Sequence, residues 1–224
     1  MKILLTGSRS FGAAVYERLK ADGHEVVCVC CPIENKKDKL TIAAINNKRS
    51  IGKIIQSGTL NSDSCPDGVD LIVAAHSHDF VGRKTRHRAR FGAIGYHPSL
   101  LPLHRGRDAV KWTVKMKDNV AGGSVYWLNE TVDGGPIAAQ RHVVTGGKLG
   151  SKELWSEHLF PMGVDLLSIV CSEVENGSAS AINQDHTKAT WEPAISGRPL
   201  LHRPDLILLG FNGLKLNQEG SASR

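Results

Sequence analysis

At 224 residues the chain can bury one substantial core, but it is short for two full domains. A hydrophobic content of 41% with 22% charged residues is that of a folded globular protein, and no apolar run reaches the roughly 18–20 residues that cross a bilayer, which excludes a membrane span and a disordered chain. The net charge of +6 is moderate, and an odd count of 5 cysteines points to free thiols in a reducing, cytoplasmic compartment.

Lys2 to Leu5 reads as a first strand rather than a secretion signal. Gly7 and Ser8 turn the chain into a helical pattern from Phe11 to Ala21, which Gly23 ends before a second strand from Glu25 to Cys31. This is a βαβ opening. Its turn lacks the full Gly-x-Gly-x-x-Gly spacing and no acidic residue closes the second strand, so it reads as a tight turn rather than a dinucleotide site, with Arg9 available to an acceptor's anion. Glu34 to Ser64 is polar and weakly periodic, one or two short helices with a loop.

Val69 to Ala75 reads as a buried strand that runs into His76-Ser77-His78-Asp79-Phe80. Two imidazoles and a carboxylate are reasonable ligands for zinc or iron, but no second ligand pair has a recognised spacing, so the cluster reads first as a polar loop at a strand's carboxyl end. The basic run Arg83-Lys84-Thr85-Arg86-His87-Arg88-Ala89-Arg90 reads first as a solvated helix face, and its position also suits attraction of a polyanionic tail or a phosphorylated acceptor. It lacks interleaved aromatic residues, which argues against nucleic acid.

Next comes Gly95-Tyr96-His97-Pro98-Ser99-Leu100-Leu101-Pro102-Leu103-His104-Arg105-Gly106, and later Val132-Asp133-Gly134-Gly135-Pro136-Ile137. Pro98 and Pro102 restrict the backbone on both sides of Ser99-Leu100-Leu101 and aim His97 with little freedom. Asp133 falls in a tight turn between the apolar runs Gly123 to Leu128 and Ile137 to Gln140, where its carboxylate can reach an imidazole on a neighbouring strand. Taken singly, a histidine is most often structural and an Asp-Gly pair most often a hairpin turn. Asp108 to Lys117 has the spacing of an amphipathic helix, and Ser151 begins another, which Pro161 should interrupt before Val164 to Val174 continues helically. Beyond Gly177 the composition is mixed, and residues 217–224 form a polar tail.

The joint order of His-Pro-Ser-Leu-Leu-Pro-x-x-Arg-Gly and a later Asp-Gly-Gly resembles the folate-dependent formyltransferase family. Met1 to Gly7 with Phe11-Gly12, Gly23 to Val27 and Ala189-Thr190-Trp191-Glu192-Pro193 extend the likeness over most of the chain. Tyr96, His104-Arg105-Gly106 and Ala109 to Thr113 are most similar to the hydrolase domain of 10-formyltetrahydrofolate dehydrogenase. One position departs from the pattern. Most of the family carries Asn two residues before the histidine, and this chain has Gly95.

The resemblance implies an α/β, Rossmann-like, mainly parallel twisted sheet flanked by helices, with a catalytic domain over 1–205 and a tail over 206–224. It implies 10-formyltetrahydrofolate as formyl donor and no metal. His97 and Asp133 carry the acid–base chemistry. Ala75, His76, Ser77, His78, Phe80, Leu128 and Val132 line the folate pocket, and Gly95, Ser99, Leu100, Pro102 and Gly106 support the histidine. The expected reaction is formyl transfer to the amine of a small molecule. Hydrolysis to formate and tetrahydrofolate is the first alternative, since Gly95 leaves room for water where an amide is usual, and a non-catalytic folate-binding module is the second. Too few residues follow Pro193 for the further domain of members that formylate initiator tRNA, which argues against tRNA as acceptor. A homodimer is compatible with the sequence.

Overall fold

A computed structural model of the protein describes residues 1–192 and Ile195. The expected domain limit at 205, the tail 206–224 and Pro193 lie outside the described residues.

Seven strands form one sheet in the order β3-β2-β1-β4-β5-β6-β7. They are β1 (Lys2–Gly7), β2 (Glu25–Cys31), β3 (Lys53–Gln56), β4 (Leu71–Ala75), β5 (Ala93–His97), β6 (Val120–Trp127) and β7 (Ile137–Val144). All pairs from β3 to β5 are parallel, whereas β5–β6 and β6–β7 are antiparallel. Both faces of the parallel part are covered, so β1 and β4 are buried along nearly their whole length and read as continuous apolar runs.

The larger core lies on one face, beneath α1 (Arg9–Ala21) and α6 (Phe160–Glu175). On α1, Phe11, Val15, Tyr16 and Leu19 recur at helical spacing and are all buried. On α6, Leu166, Leu167, Val170 and Val174 do the same. Phe11 packs against the rings of Tyr96, Trp155 and Phe160 with centroids 5.3–5.5 Å apart. The smaller core, on the opposite face, holds Leu4, Cys28, Cys30, Ile72 and Ala93, with Leu128 against it.

Three expectations are corrected. Pro161 does not interrupt the last long helix: α5 (Ser151–Glu153) passes through a wide π-helical stretch, Leu154–Leu159, into α6, and Pro161 stands in the first turn of α6, where a missing N–H costs little. The carbonyl of Leu159 instead accepts the Tyr96 hydroxyl at 2.7 Å. The polar segment from Glu34 to Ser64 yields one helix, α2 (Lys39–Asn46), and the edge strand β3. The basic run is exposed at Arg83, Lys84, His87, Arg88 and Arg90, as a solvated face should be, and departs from that reading at Arg86. In α3 (Arg83–Arg86) the Arg86 side chain is buried and donates to the Val81 carbonyl and to Glu130 at 2.7 Å each, and Arg88 pairs with Asp67.

Among the described residues no helix is long and apolar enough to cross a membrane.

Candidate active site

The site forms where the parallel half of the sheet meets the antiparallel half. His97 ends β5, and alternation along that strand puts His97, Gly95 and Ala93 on the face of the smaller core. β6 runs back alongside, pairing Gly95 with Tyr126 and His97 with Ser124. The chain then leaves the sheet over residues 128–136 before returning as β7. Asp133 therefore lies in a nine-residue excursion and not in a tight hairpin turn. Its φ of +49° is left-handed, a conformation that Asp tolerates better than most residues.

The excursion folds back to bring the Asp133 Oδ2 atom 3.6 Å from His97 Nδ1, with the two side chains only 12% and 9% exposed. His97 Nε2 lies 2.7 Å from the backbone carbonyl of His104. A carbonyl only accepts, so Nε2 carries a proton and Nδ1 is the nitrogen that gains or loses one, facing the carboxylate. Asp133 is itself held at both oxygens: Gly106 N donates to Oδ2 at 2.7 Å and the Tyr126 hydroxyl to Oδ1 at 2.6 Å. Charge-assisted bonds of this kind are the strong ones.

The turn after His97 is tied down residue by residue. Ser99 Oγ donates to the Leu103 carbonyl at 2.6 Å, and the Ser99 carbonyl accepts from Ser124 Oγ at 2.6 Å. Ser124 Oγ also accepts from Leu101 N at 3.0 Å and from Gln140 Nε2 at 2.7 Å, so all its hydrogen-bonding capacity is used. Leu100 lies against Gly122, where a side chain would collide with it. The Pro102 carbonyl accepts from Thr190 N at 3.2 Å. Gly106, at φ +91°, brings its amide to Asp133 and lies against the Trp191 ring.

A strap made by residues 184–192 clamps the turns that carry His97 and Asp133. Gln184 Nε2 donates to the carbonyls of Asp133 and Gly135 at 2.9 and 2.7 Å, while its Oε1 accepts from Arg105 at 2.5 and 3.2 Å. Arg105 is fully buried and donates also to His186 Nδ1 at 3.1 Å. Desolvation pulls its guanidinium below the ordinary value, and the negative charge of Asp133 opposes that fall. His104, at φ +54°, sits between Glu192 at 2.9 Å and Asp118 at 2.8 Å. Burial alone would lower its pKa, but hydrogen bonds to the two carboxylates outweigh burial and raise it.

The other predicted pocket residues gather at the carboxyl edge of β4. Ala75 is buried and its carbonyl accepts from Ser8 N at 3.4 Å. His76, at φ +59°, accepts the Ser8 hydroxyl on its carbonyl at 2.8 Å. Desolvation, then the nearby Arg9 and His78 charges, lower the His76 pKa to about 4, which leaves a neutral imidazole at this edge at pH 7. The His78 side chain is exposed and Phe80 is 69% exposed. Ser77 turns inward to Thr6 at 2.8 Å and Asp79 into a knot with Ser57 at 2.9 Å and Gly58 N, tying the loop to β1 and to the turn after β3. Asp79 is thereby spent on hydroxyls and an amide, and among the described residues no group of three His, Cys, Asp or Glu could hold a metal ion.

Leu128 leans over the space above Gly95. A Cβ built at Gly95 would stand 3.1 Å from Leu128 Cδ2, 3.6 Å from Ala74 Cβ and 3.6 Å from the Tyr126 ring, so this space is filled by neighbours and is not open room for a water. Val132, half-buried, precedes Asp133 in the excursion. The structure thus brings His97, Asp133, Gly95, Gly106 and Leu128 together. His76, Ser77, His78 and Phe80 stand at the neighbouring strand end.

Sequence reasoning missed Tyr126, Ser124 and Gln184. The first two alternate along one face of β6, in step with Leu128 just beyond its end, a pattern that could have marked them. Gln184, 51 residues after the aspartate it supports, carries no local signal.

Residues 1–146, which contain both motifs, match the formyl transferase family. The chain belongs to that family. The likeness expected from the motifs is found: the chain is 31% identical over 201 residues to the mitochondrial 10-formyltetrahydrofolate dehydrogenase of Homo sapiens, covering 86% of this chain and 22% of that protein. This formyl transferase chain thus spans about a fifth of such relatives. Among solved structures, the N-formyltransferase of Helicobacter canadensis, in complex with folinic acid and dTDP-3-aminofucose, superposes with a TM-score of 0.68 at 15% identity, over 86% of this chain and 70% of that one. Glycinamide ribonucleotide transformylase 1 of Symbiobacterium toebii gives 0.63 at 17% identity, over 82% and 94%. At these identities the two structures establish the fold.

Proposed function

We propose that this chain transfers the formyl group of 10-formyltetrahydrofolate to the amine of a small molecule, with His97 and Asp133 as the acid–base pair. The observation that carries this reading is the His97–Asp133 approach at 3.6 Å, with His97 Nε2 already committed to a carbonyl and Nδ1 left to work. Transfer needs a proton removed from the nucleophile, negative charge on the formyl oxygen offset, and a proton delivered to the departing folate nitrogen. Protonated at Nδ1, His97 is a donor for the oxygen. Asp133, ionised and rigidly held, steadies that imidazolium and takes or relays the nucleophile's proton. The fully buried guanidinium of Arg105 reinforces the charge on Asp133 from behind.

The fit of the donor rests on the shape of the site. Gly95 keeps the backbone beside His97 clear of a side chain, Leu128 and Val132 supply apolar surface, and His76, Ser77, His78 and Phe80 form the polar rim with an exposed aromatic ring.

One observation favours water as the acceptor instead. Position 95 is glycine and carries no carboxamide to receive an amine. The likeness to 10-formyltetrahydrofolate dehydrogenases agrees with that second reading.

Tetrahydrofolate release from 10-formyltetrahydrofolate, measured alone and with a panel of small amines, tests both. We expect release to depend on an amine, and His97→Ala to reduce it roughly 10²–10⁴-fold, the usual contribution of a general acid–base group. Release at full rate without any amine establishes the hydrolase. Folate binding without release under any condition overturns both readings in favour of a binding module.

A further inference from the structure

We propose that Tyr126 is the positioning residue of the catalytic carboxylate. This rests on the reading of His97 and Asp133 as the acid–base pair. The terminal torsion of an aspartate is soft and roughly two-fold, so nothing internal to Asp133 decides which oxygen faces His97. Its hydrogen bonds decide it. Gly106 N takes Oδ2 at 2.7 Å and Tyr126 Oη takes Oδ1 at 2.6 Å, and with both in place Oδ2 is the oxygen turned to His97 Nδ1.

The Gly106 bond alone would leave the carboxylate free to pivot about Oδ2. The tyrosine bond closes that freedom from the opposite side. It comes from a buried side chain, 7% exposed, on the strand β6, which is paired on both sides, and not from a loop.

The neighbourhood explains how the ring gets there. Gly95 and Tyr126 are direct partners across β5 and β6, on one face. A Cβ at 95 would lie 3.6 Å from the Tyr126 ring, an ordinary contact, so the ring packs over Gly95. Tyr126 thus supplies a hydroxyl to Asp133 from the strand next to the one that bears the histidine.

Tyr126→Phe in the full chain keeps the ring and removes only the hydroxyl. With 10-formyltetrahydrofolate and the acceptor identified by the assay above, we expect kcat to fall roughly 10- to 100-fold, the factor that one hydrogen bond to a charged group represents. KM for the folate should stay within about twofold and the thermal midpoint within a few degrees. In an Asp133→Ala background, read by single turnover, the same substitution should change the rate less than about twofold, since a residue that acts through Asp133 has nothing left to act on. An unchanged kcat, a loss confined to KM, or an equal loss with and without Asp133 overturns the proposal. Those results differ from a wild-type chain that releases no tetrahydrofolate with any acceptor, which overturns the proposed function and this inference together.

Discussion

Replacing Gln184 with Met keeps the side-chain volume and strips the amide that joins the strap to the turns that carry His97 and Asp133. Three sets of bonds are lost. The fully buried Arg105 loses its carboxamide acceptor, a hydrogen bond to a charged group, for about 1.5–3 kcal/mol. The carbonyls of Asp133 and Gly135 each lose a donor, for about 0.5–1.5 kcal/mol apiece. The total is about 2.5–6 kcal/mol, a large part of the roughly 5–15 kcal/mol that holds a domain folded. In urea, with a slope of about 2 kcal/mol per molar, the midpoint should fall by about 1.2–3 M. Arg105→Met alone should be comparably destructive, but the double substitution should cost clearly less than the sum, because removing both partners leaves no buried charge without its acceptor. A Gln184→Met loss below about 1 kcal/mol, or strict additivity with Arg105→Met, refutes the claim that this amide carries the strap.

Two further predictions follow from burial and charge. The His104 pKa is raised in the folded protein, so its contribution to stability is fully present below its unfolded value near 6.5 and is lost as pH rises through the folded value. Urea midpoints of the wild type should therefore decline on the alkaline side relative to those of His104→Gln, and parallel pH profiles for the two would show that His104 is not the group responsible. Burial pushes the thiols of Cys28 and Cys171 up to about 12 and that of Cys30 higher still. A thiol-reactive chromogenic disulfide at pH 8 should accordingly leave these three unmodified in the native chain and modify all 5 cysteines in denaturant, and rapid native labelling of Cys28 or Cys30 would contradict the packing.

What could be read in the sequence was whatever is local. The βαβ opening, the buried run of β4 and the helical spacing of Phe11, Val15 and Leu19 follow from patterns a few residues long. His97 was legible because two prolines flank its turn, and Asp133 because glycines follow it. β3 was missed because four residues at a sheet edge are too few to show a period, and a helix could claim the same stretch. Pro161 misled because a proline is compatible with the first turn of a helix, and only the packing of Tyr96 against Leu159 shows where that turn begins. Within the basic run Arg86 alone misled, in the opposite way: it is long enough to send its guanidinium inward to a carbonyl and a carboxylate, which composition cannot reveal.

The proposed acid–base pair, His97 and Asp133, is a product of closure rather than of either motif. His97 is aimed by a carbonyl belonging to His104, and His104 is held by Glu192 and Asp118. Asp133 is aimed by Gly106 and Tyr126, and its turn is held by Gln184. Two of these supports, Gln184 and Glu192, come from the strap. None of the seven strands depends on the strap for its pairing within the sheet. Opening the strap would therefore dismantle the pair while the sheet persists, so activity should be lost in a local transition that precedes global unfolding, with amides near Arg105 and Gln184 exchanging before those of β1 and β4.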